Sequence, residues 1–329
     1  MTQSLPSGYI DVCCDRCGNS HGEQRYRLNR CWIVTCPECG LSYVNPRADQ
    51  QTIRSKLQDW ADKDVVDSER LRIAFEKNTL NLYQRYIDQL DKLHHLAEKQ
   101  LLDIGCATGA FMTVARERNW NVKGLELGKA SADYANTAQG LTVFNCPIED
   151  FKPDSSFDAI TLLEVIEHLE SPRQCLLRIH DWLAPGGLLL ITTPNFDSLY
   201  RRLFGAKWWV VNCEDEHIQF FNNKTLCGLL KETGYTAEYM HIRSIDLTGI
   251  FKQTIDRFRN NVNENPSSDD ISYYAARNSK ERVKSVLERT GLLNLVRKGL
   301  KGLDYLFSKP WSPLFGFGEQ LIIIARRNP

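Results

Sequence analysis

Between Gln100 and Trp120 the chain reads QLLDIGCATGAFMTVARERNW. An apolar run, Leu101 to Ile104, enters a glycine-rich turn, and the turn opens into a segment whose apolar residues Phe111, Met112, Val114 and Ala115 recur at helical spacing. A strand that turns on glycines into a helix places unpaired backbone N–H groups where a ligand can approach, and Gly105 and Gly109 free the backbone to do so. The pattern is G-x-A-x-G, so by itself it does not choose a ligand.

The units that follow narrow the fold. Val122 to Leu125 reads as a second strand ending in Glu126, about 20 residues beyond the first glycine, where a carboxylate can accept hydrogen bonds from two ribose hydroxyls. Leu141 to Asn145 and FDAITLL (157–163) read as the third and fourth strands. A helix around Pro172 to Leu183, an APGG turn (184–187) and LLLITTP (188–194) as a fifth strand complete the alternation. Strands alternating with helices imply an α/β, doubly wound, mostly parallel sheet.

The N-terminus carries a different signal. Six of the eleven cysteines fall in the first 39 residues, and Cys14-x2-Cys17 and Cys36-x2-Cys39 lie 18 residues apart, which is zinc-ribbon spacing. Each pair can turn two thiolates toward one ion, with Gly18 and Gly40 allowing the turn behind it, so a closed four-sulfur structural Zn2+ site is expected in a module spanning 1–45. So short a segment buries too little apolar surface to fold unaided, and a metal would supply the missing stability. Cys13 and Cys31 stand outside the knuckles and read as spare thiols. Residues 46–97, with Val66, Leu71, Phe75, Leu80, Tyr86, Ile87 and Leu90 at helical spacing, read as one or two connecting helices. The main domain is then 98–329.

Several function classes are disfavoured. Lys plus Arg and Asp plus Glu are 41 each, so no net field draws the chain to nucleic acid, and a small-molecule acceptor is the expected partner. No apolar run is long enough to span a bilayer and no leader peptide is visible, so a cytoplasmic protein is expected.

The landmarks together carry a resemblance: Asp103 before Gly105-x-Ala107-x-Gly109, Glu126 closing the second strand, Phe157-Asp158 opening the fourth, and Leu183-Ala184-Pro185-Gly186-Gly187 before the fifth. The segment from about 98 to 245, with EQLIIIARR near the C-terminus, resembles the class I S-adenosylmethionine-dependent methyltransferases, and CPECGLSYVNP resembles the zinc-binding leader of some members. The resemblance implies a seven-stranded sheet and S-adenosyl-L-methionine as cofactor, with Asp103, Gly105, Ala107 and Gly109 at its methionine end and Glu126 at its ribose. Pro147 stands where the family often has an acid, which leaves Ile148 or Glu149 as the adenine-side contact.

The run LLEVIEHLESP (162–172) places Glu164, Glu167 and His168 at i, i+3 and i+4, so a helix beginning there would present all three on one face at the carboxyl end of the sheet. Two facing carboxylates and an imidazole suit a divalent cation such as Mg2+, and His217, in the loop after the fifth strand, is the candidate fourth ligand. Glu-x-x-Glu-His with a later His is similar to the motif of the ubiquinone-pathway O-methyltransferases and the small-RNA 2′-O-methyltransferases. That likeness implies methylation of a small-molecule hydroxyl assisted by the cation, with Glu164 on the cofactor side as well. Without a cation, His168 or His217 would serve as general base. Two other readings stay open: a metal-independent sugar or polysaccharide-pathway methyltransferase, and an inactive methyltransferase-like binding module. Trp208 and Trp209 could form an apolar lid or ordinary packing. Within a helical insertion at about 250–315, a basic amphipathic segment near 290–307, with Leu293, Val296, Leu300, Leu303 and Phe307 on one side, could cover its own domain or dock on a membrane.

Overall fold

The computed structural model describes residues 5, 8–66, 69–95, 98–212, 216–243 and 317–329. The insertion at about 250–315 and its amphipathic segment lie outside the described residues. The chain divides into two compact units. The first is Met1–Phe196, Phe204–His241 and Gln320–Pro329, and the second is Asp197–Leu203 with Ile242–Glu319.

In chain order the N-terminal strands are β1 (Tyr9–Ile10), β2 (Glu23–Arg27), β3 (Trp32–Thr35), β4 (Ser42–Asn45) and β5 (Arg47–Ala48), followed by helices α1 (Gln50–Val66) and α2 (Glu69–Leu93). The alternating region runs β6 (Gln100–Ile104), α3 (Ala110–Glu117), β7 (Asn121–Leu125), α4 (Lys129–Thr137), β8 (Thr142–Phe144), β9 (Phe157–Leu163), α5 (Pro172–Trp182) and β10 (Leu183–Pro194). Then come α6 (Leu199–Phe204), β11 (Gln219–Phe220), α7 (Asn223–Glu232), β12 (Tyr235–Arg243) and β13 (Gln320–Arg327). In the second unit, the Leu199 N–H bonds the Phe317 carbonyl and the Arg202 guanidinium lies over the Phe317 ring.

The large sheet has seven strands in the order β12-β13-β10-β9-β6-β7-β8. β6 through β10 run parallel to one another and β13 runs antiparallel to β10, so the expected doubly wound sheet forms with one reversed strand near its edge. The chain builds outward from β6 through β7 to β8, then returns to lay β9 and β10 on the other side of β6. Strand order reverses between β6 and β9, the point at which the carboxyl-end loops of such a sheet part and leave a crevice for ligands. β9 is buried along nearly its whole length, as a strand covered on both faces must be.

APGG is not a simple turn. Leu183 pairs with Phe157 and Leu188 with Ala159, so four residues of β10 bulge against one of β9. Gly186 takes φ 78 within the bulge. Arg326 closes this corner: its guanidinium donates to both Glu238 oxygens at 2.6 and 2.7 Å, to the Gly186 carbonyl at 2.7 Å and to the Leu93 carbonyl at the end of α2 at 2.9 Å.

The N-terminal sheet does not stand alone. Its order is β11-β4-β3-β2, so a strand from after β10 in the sequence supplies its fourth member, and β1 pairs with β5 in a separate ribbon. Further bonds tie it to the α/β region: the Arg16 guanidinium grips Glu232 at 2.7 Å, and Asp15 accepts the Arg173 N–H at 2.8 Å, capping α5 in place of Ser171. Trp208 is fully buried beside Phe196, which is packing rather than a lid. Among the described residues no helix is long and apolar enough to cross a membrane.

Arg326 donates to two backbone carbonyls and a carboxylate, so Arg326→Met is expected to lower unfolding free energy by about 2–3 kcal/mol. The exposed Lys129–Asp133 pair is the comparison: Lys129→Met should cost less than about 0.5 kcal/mol. Urea denaturation of the two variants checks the contrast.

Candidate functional site

Two side-chain constellations stand out. The first is the cysteine centre. Gly18 N–H bonds the Cys14 carbonyl and Cys14 N–H the Asn19 carbonyl. Gly40 and Cys36 repeat both bonds with Cys36 and Leu41, so the two knuckles share one backbone geometry. Gly18 (φ 76) and Gly40 (φ 78) take the left-handed turn that other residues resist. The knuckles bring Cys14 Sγ to 3.4 Å from Cys39 Sγ and Cys17 Sγ to 3.5 Å from Cys36 Sγ. Ligand atoms of all four lie within 4.8 Å of one another; Cys13 and Cys31 are not in the set. Burial pushes the Cys14 thiol well up and Cys39 up to about 11, while N–H donors from Cys39 and Glu38 and the Cys17 thiol outweigh burial and bring Cys36 below its ordinary value. Four sulfurs at this spacing fit a soft tetrahedral ion.

The second constellation lines the crevice. Asp103, next to Thr161 in the β6–β9 register, accepts its hydroxyl at 2.5 Å. Burial pushes Asp103 up to about 7, opposed by the Thr161 bond and reinforced by the Glu126 charge. Gly105 and Ala107 lie exposed on the loop after β6 while Asp103 and Cys106 on either side of Gly105 are buried, so the accessible surface is backbone. A Cβ on Gly105 would sit 2.5 Å from Val165 Cγ2, and one on Gly109 2.3 Å from Leu141 Cδ1. Ala107 itself has φ 48. It is held there by Glu126, whose carboxylate accepts the Ala107 N–H at 2.8 Å and the Gly128 N–H at 2.7 Å. A carboxylate has about four lone-pair directions, so these two backbone bonds by themselves do not saturate it. Ile148 is buried after β8, and Glu149 pairs with Arg54 of α1 at 2.8 Å.

The loop after β9 differs from the expected helix. Glu164 N–H bonds the Thr192 carbonyl at 3.0 Å, extending the strand ladder, and Glu164 turns to φ 56; only a 3-10 turn, Ile166–His168, follows before α5 begins at Pro172. A left-handed φ at Glu164 is not helical, and the 3-10 turn covers only Ile166–His168, so the i, i+3, i+4 face does not form. Glu164 instead accepts Gln320 Nε2 at 2.6 Å.

Glu167, His168 and His217 do meet, with ligand atoms within 4.8 Å of one another and ring centroids of the two histidines 4.8 Å apart; Glu164 is not in that set. Both rings are oriented alike: His168 Nδ1 lies 2.8 Å from the Glu216 carbonyl and His217 Nδ1 2.9 Å from the Val210 carbonyl. A carbonyl only accepts, so each Nδ1 carries the proton and each Nε2 offers a lone pair, the arrangement usual for metal-ligating histidine. Glu167 accepts the Thr193 hydroxyl at 2.9 Å through one oxygen, while its other, Oε1, is buried with no hydrogen-bond partner. Burial, then the Glu164 charge, raises Glu167 well above the carboxylate range; burial, then His217, pushes His168 down to about 3, and burial lowers His217. Two imidazoles and a carboxyl group, each shifted toward its neutral form and with one carboxylate oxygen orphaned, fit a divalent cation.

Thr161, Thr193, Asn145 and Gln320 were not read from the sequence as part of the site, although each holds a candidate residue; Asn145 Nδ2 bonds the Glu126 and Leu127 carbonyls at 2.9 Å. A threonine at the carboxyl end of an apolar strand, as in ITTP, is the signal that could have found Thr193.

Asp103 holds its proton to about pH 7 when folded and to about 3.9 when unfolded, so the folded state binds more protons between these values and stability falls as pH rises through that window. Asp103→Asn is expected to flatten the pH 4–7 slope of the thermal midpoint.

Residues 76–239 match the family described as a methyltransferase domain. The chain is 30% identical over 161 residues to a ubiquinone biosynthesis O-methyltransferase of Rickettsia typhi, covering 45% of this chain and 65% of that protein. It is 31% identical over 113 residues to one of Saccharophagus degradans, covering 32% and 48%. The matches thus span about half to two thirds of those relatives' lengths. A solved S-adenosylmethionine-dependent methyltransferase from Archaeoglobus fulgidus is 16% identical with a TM-score of 0.47, over 78% of this chain and 99% of that one. By the family match and these relatives, this chain carries a class I S-adenosylmethionine-dependent methyltransferase domain, distantly related to the ubiquinone O-methyltransferases.

Proposed function

We propose that this protein methylates an oxygen of a small-molecule hydroxyl, with S-adenosylmethionine bound in the crevice between the β6 and β9 loops and a divalent cation held by Glu167, His168 and His217. The observation that carries the reading is the meeting of ligand atoms of Glu167, His168 and His217 within 4.8 Å of one another, with Glu167 Oε1 orphaned. The names of the relatives, O-methyltransferases both, point the same way.

The bound cofactor supplies an electrophilic sulfonium methyl group, and a cation at the cluster supplies Lewis acidity toward the acceptor hydroxyl. The chain's own work is positioning. Glu126 holds Ala107 and Gly128 by their N–H groups and so shapes the surface on which a ribose would rest. Thr161 keeps Asp103 fixed at the loop entrance. Thr193, Glu216 and Val210 fix the carboxylate and both imidazoles. His168, with its affinity for protons suppressed to about 3, suits a ligand better than a general base. In the N-terminal sheet, Cys14, Cys17, Cys36 and Cys39 would hold a structural Zn2+.

One zinc per chain is expected by elemental analysis, and Cys36→Ser/Cys39→Ser should remove it. His217→Ala is expected to lower methyl transfer by about a hundredfold or more while leaving S-adenosylhomocysteine affinity within about twofold. The measurement is transfer of labelled methyl to an extract-derived acceptor. Full turnover after chelation of all but the zinc would exclude the cation reading, and methyl appearing on carbon or nitrogen would exclude the oxygen acceptor.

A further inference from the structure

The cluster residues reside on two short segments, 166–171 and 216–220, that have little internal structure. The first is a 3-10 turn and the second contains a two-residue strand, which is too short to be stable by itself. Their hydrogen bonds lead to the cysteine-bearing sheet. The Ile218 peptide bridges them: its N–H bonds the Glu167 carbonyl at 3.0 Å, and its carbonyl accepts the Val44 N–H of β4 at 3.0 Å. Gln219 and Phe220 then pair with Tyr43 and Ser42. On the other segment, the Glu170 carbonyl accepts Arg47 Nη2 at 3.3 Å and Gln219 Nε2 at 3.4 Å, and the Arg173 N–H two residues beyond bonds Asp15. Ile218 and Phe221 are almost fully buried, so water cannot replace these partners.

The sheet in turn depends on a knuckle. β3 ends at Thr35 and β4 begins at Ser42, so Cys36–Leu41, closed by the Cys36 N–H to Leu41 carbonyl bond, is the hairpin loop that sets the β3–β4 register. We propose that the four-cysteine module is the positioning element for the Glu167–His168–His217 cluster: the Cys36–Cys39 knuckle sets β4, β4 holds β11, and β11 fixes His217 against the Glu167–His168 turn. The coupling is one of backbone geometry and holds whatever acceptor the domain methylates.

Hydrogen–deuterium exchange on the full zinc-loaded chain tests it with two variants. Val44→Pro removes the donor to Ile218 and no β3–β4 bond, because the Val44 N–H faces β11. Cys36→Ser/Cys39→Ser removes the knuckle. In both, exchange across 216–221 and 166–171 is expected to rise about tenfold or more, with strand 100–104 still protected and S-adenosylhomocysteine affinity within about twofold. Unchanged exchange across 216–221 in either variant overturns the proposal. If the cysteine variant unfolds throughout, exposing 100–104, Val44→Pro alone decides. Unfolding of 100–104 in Val44→Pro also overturns it, since the bond would then belong to global stability rather than to local positioning. Neither readout depends on turnover, so a failure here leaves the methyl-transfer reading standing, and the reverse.

Discussion

The reversal of strand order between β6 and β9 is the constraint on which the rest of the molecule depends. Parallel neighbours joined by helices send their carboxyl-end loops the same way, except where the winding changes direction; there the loops part and leave a concave surface. In this chain that surface is bordered by the Gly105–Gly109 turn on one side and the Glu164–His168 loop on the other. The two loops are still close enough that a single methyl group on Gly105 would collide with Val165. Glycine at that position is therefore a requirement of loop packing as well as of access for a ligand.

Burial governs the electrostatics around the crevice. Asp103, Glu167, His168 and His217 are all shifted toward their neutral forms, with burial the largest cause in each case. Buried ionisable groups are costly to retain for packing alone, and groups with such shifts concentrate where chemistry is done. Glu126 is different: its two backbone N–H partners compensate a buried carboxylate and make it the organiser of the turn.

The cysteine centre and the crevice are parts of one compact unit, and the chain connects them through β11 rather than through neighbouring sequence. This differs from a tag-like module joined by a linker. The shared sheet, the Asp15 cap on α5 and the Arg47 contact to the Glu170 carbonyl distribute the N-terminal segment along the wall of the candidate site.

Strand and helix identities were legible in the sequence because they follow from local periodicity. Leu101–Ile104, Val122–Leu125, FDAITLL and LLLITTP all lie within observed strands, and both cysteine knuckles and their glycines appear at the expected positions. The gathering of Glu167, His168 and His217 was legible as composition, but the geometry invoked for it, a helix face that included Glu164, was not what forms. Local spacing could not foresee that Thr192 of β10 holds the Glu164 N–H and that Gln320, over 150 positions away, takes its carboxylate. Likewise APGG became a bulge because β9 supplies too few partners for β10. Local propensity, turn chemistry and ligand spacing were thus determined by the sequence alone. The pairing of β11 with β4, the partners of Arg326 and the exclusion of Glu164 from the cluster were decided only by tertiary structure, because each depends on which distant backbone groups are left to be satisfied once the sheets have closed.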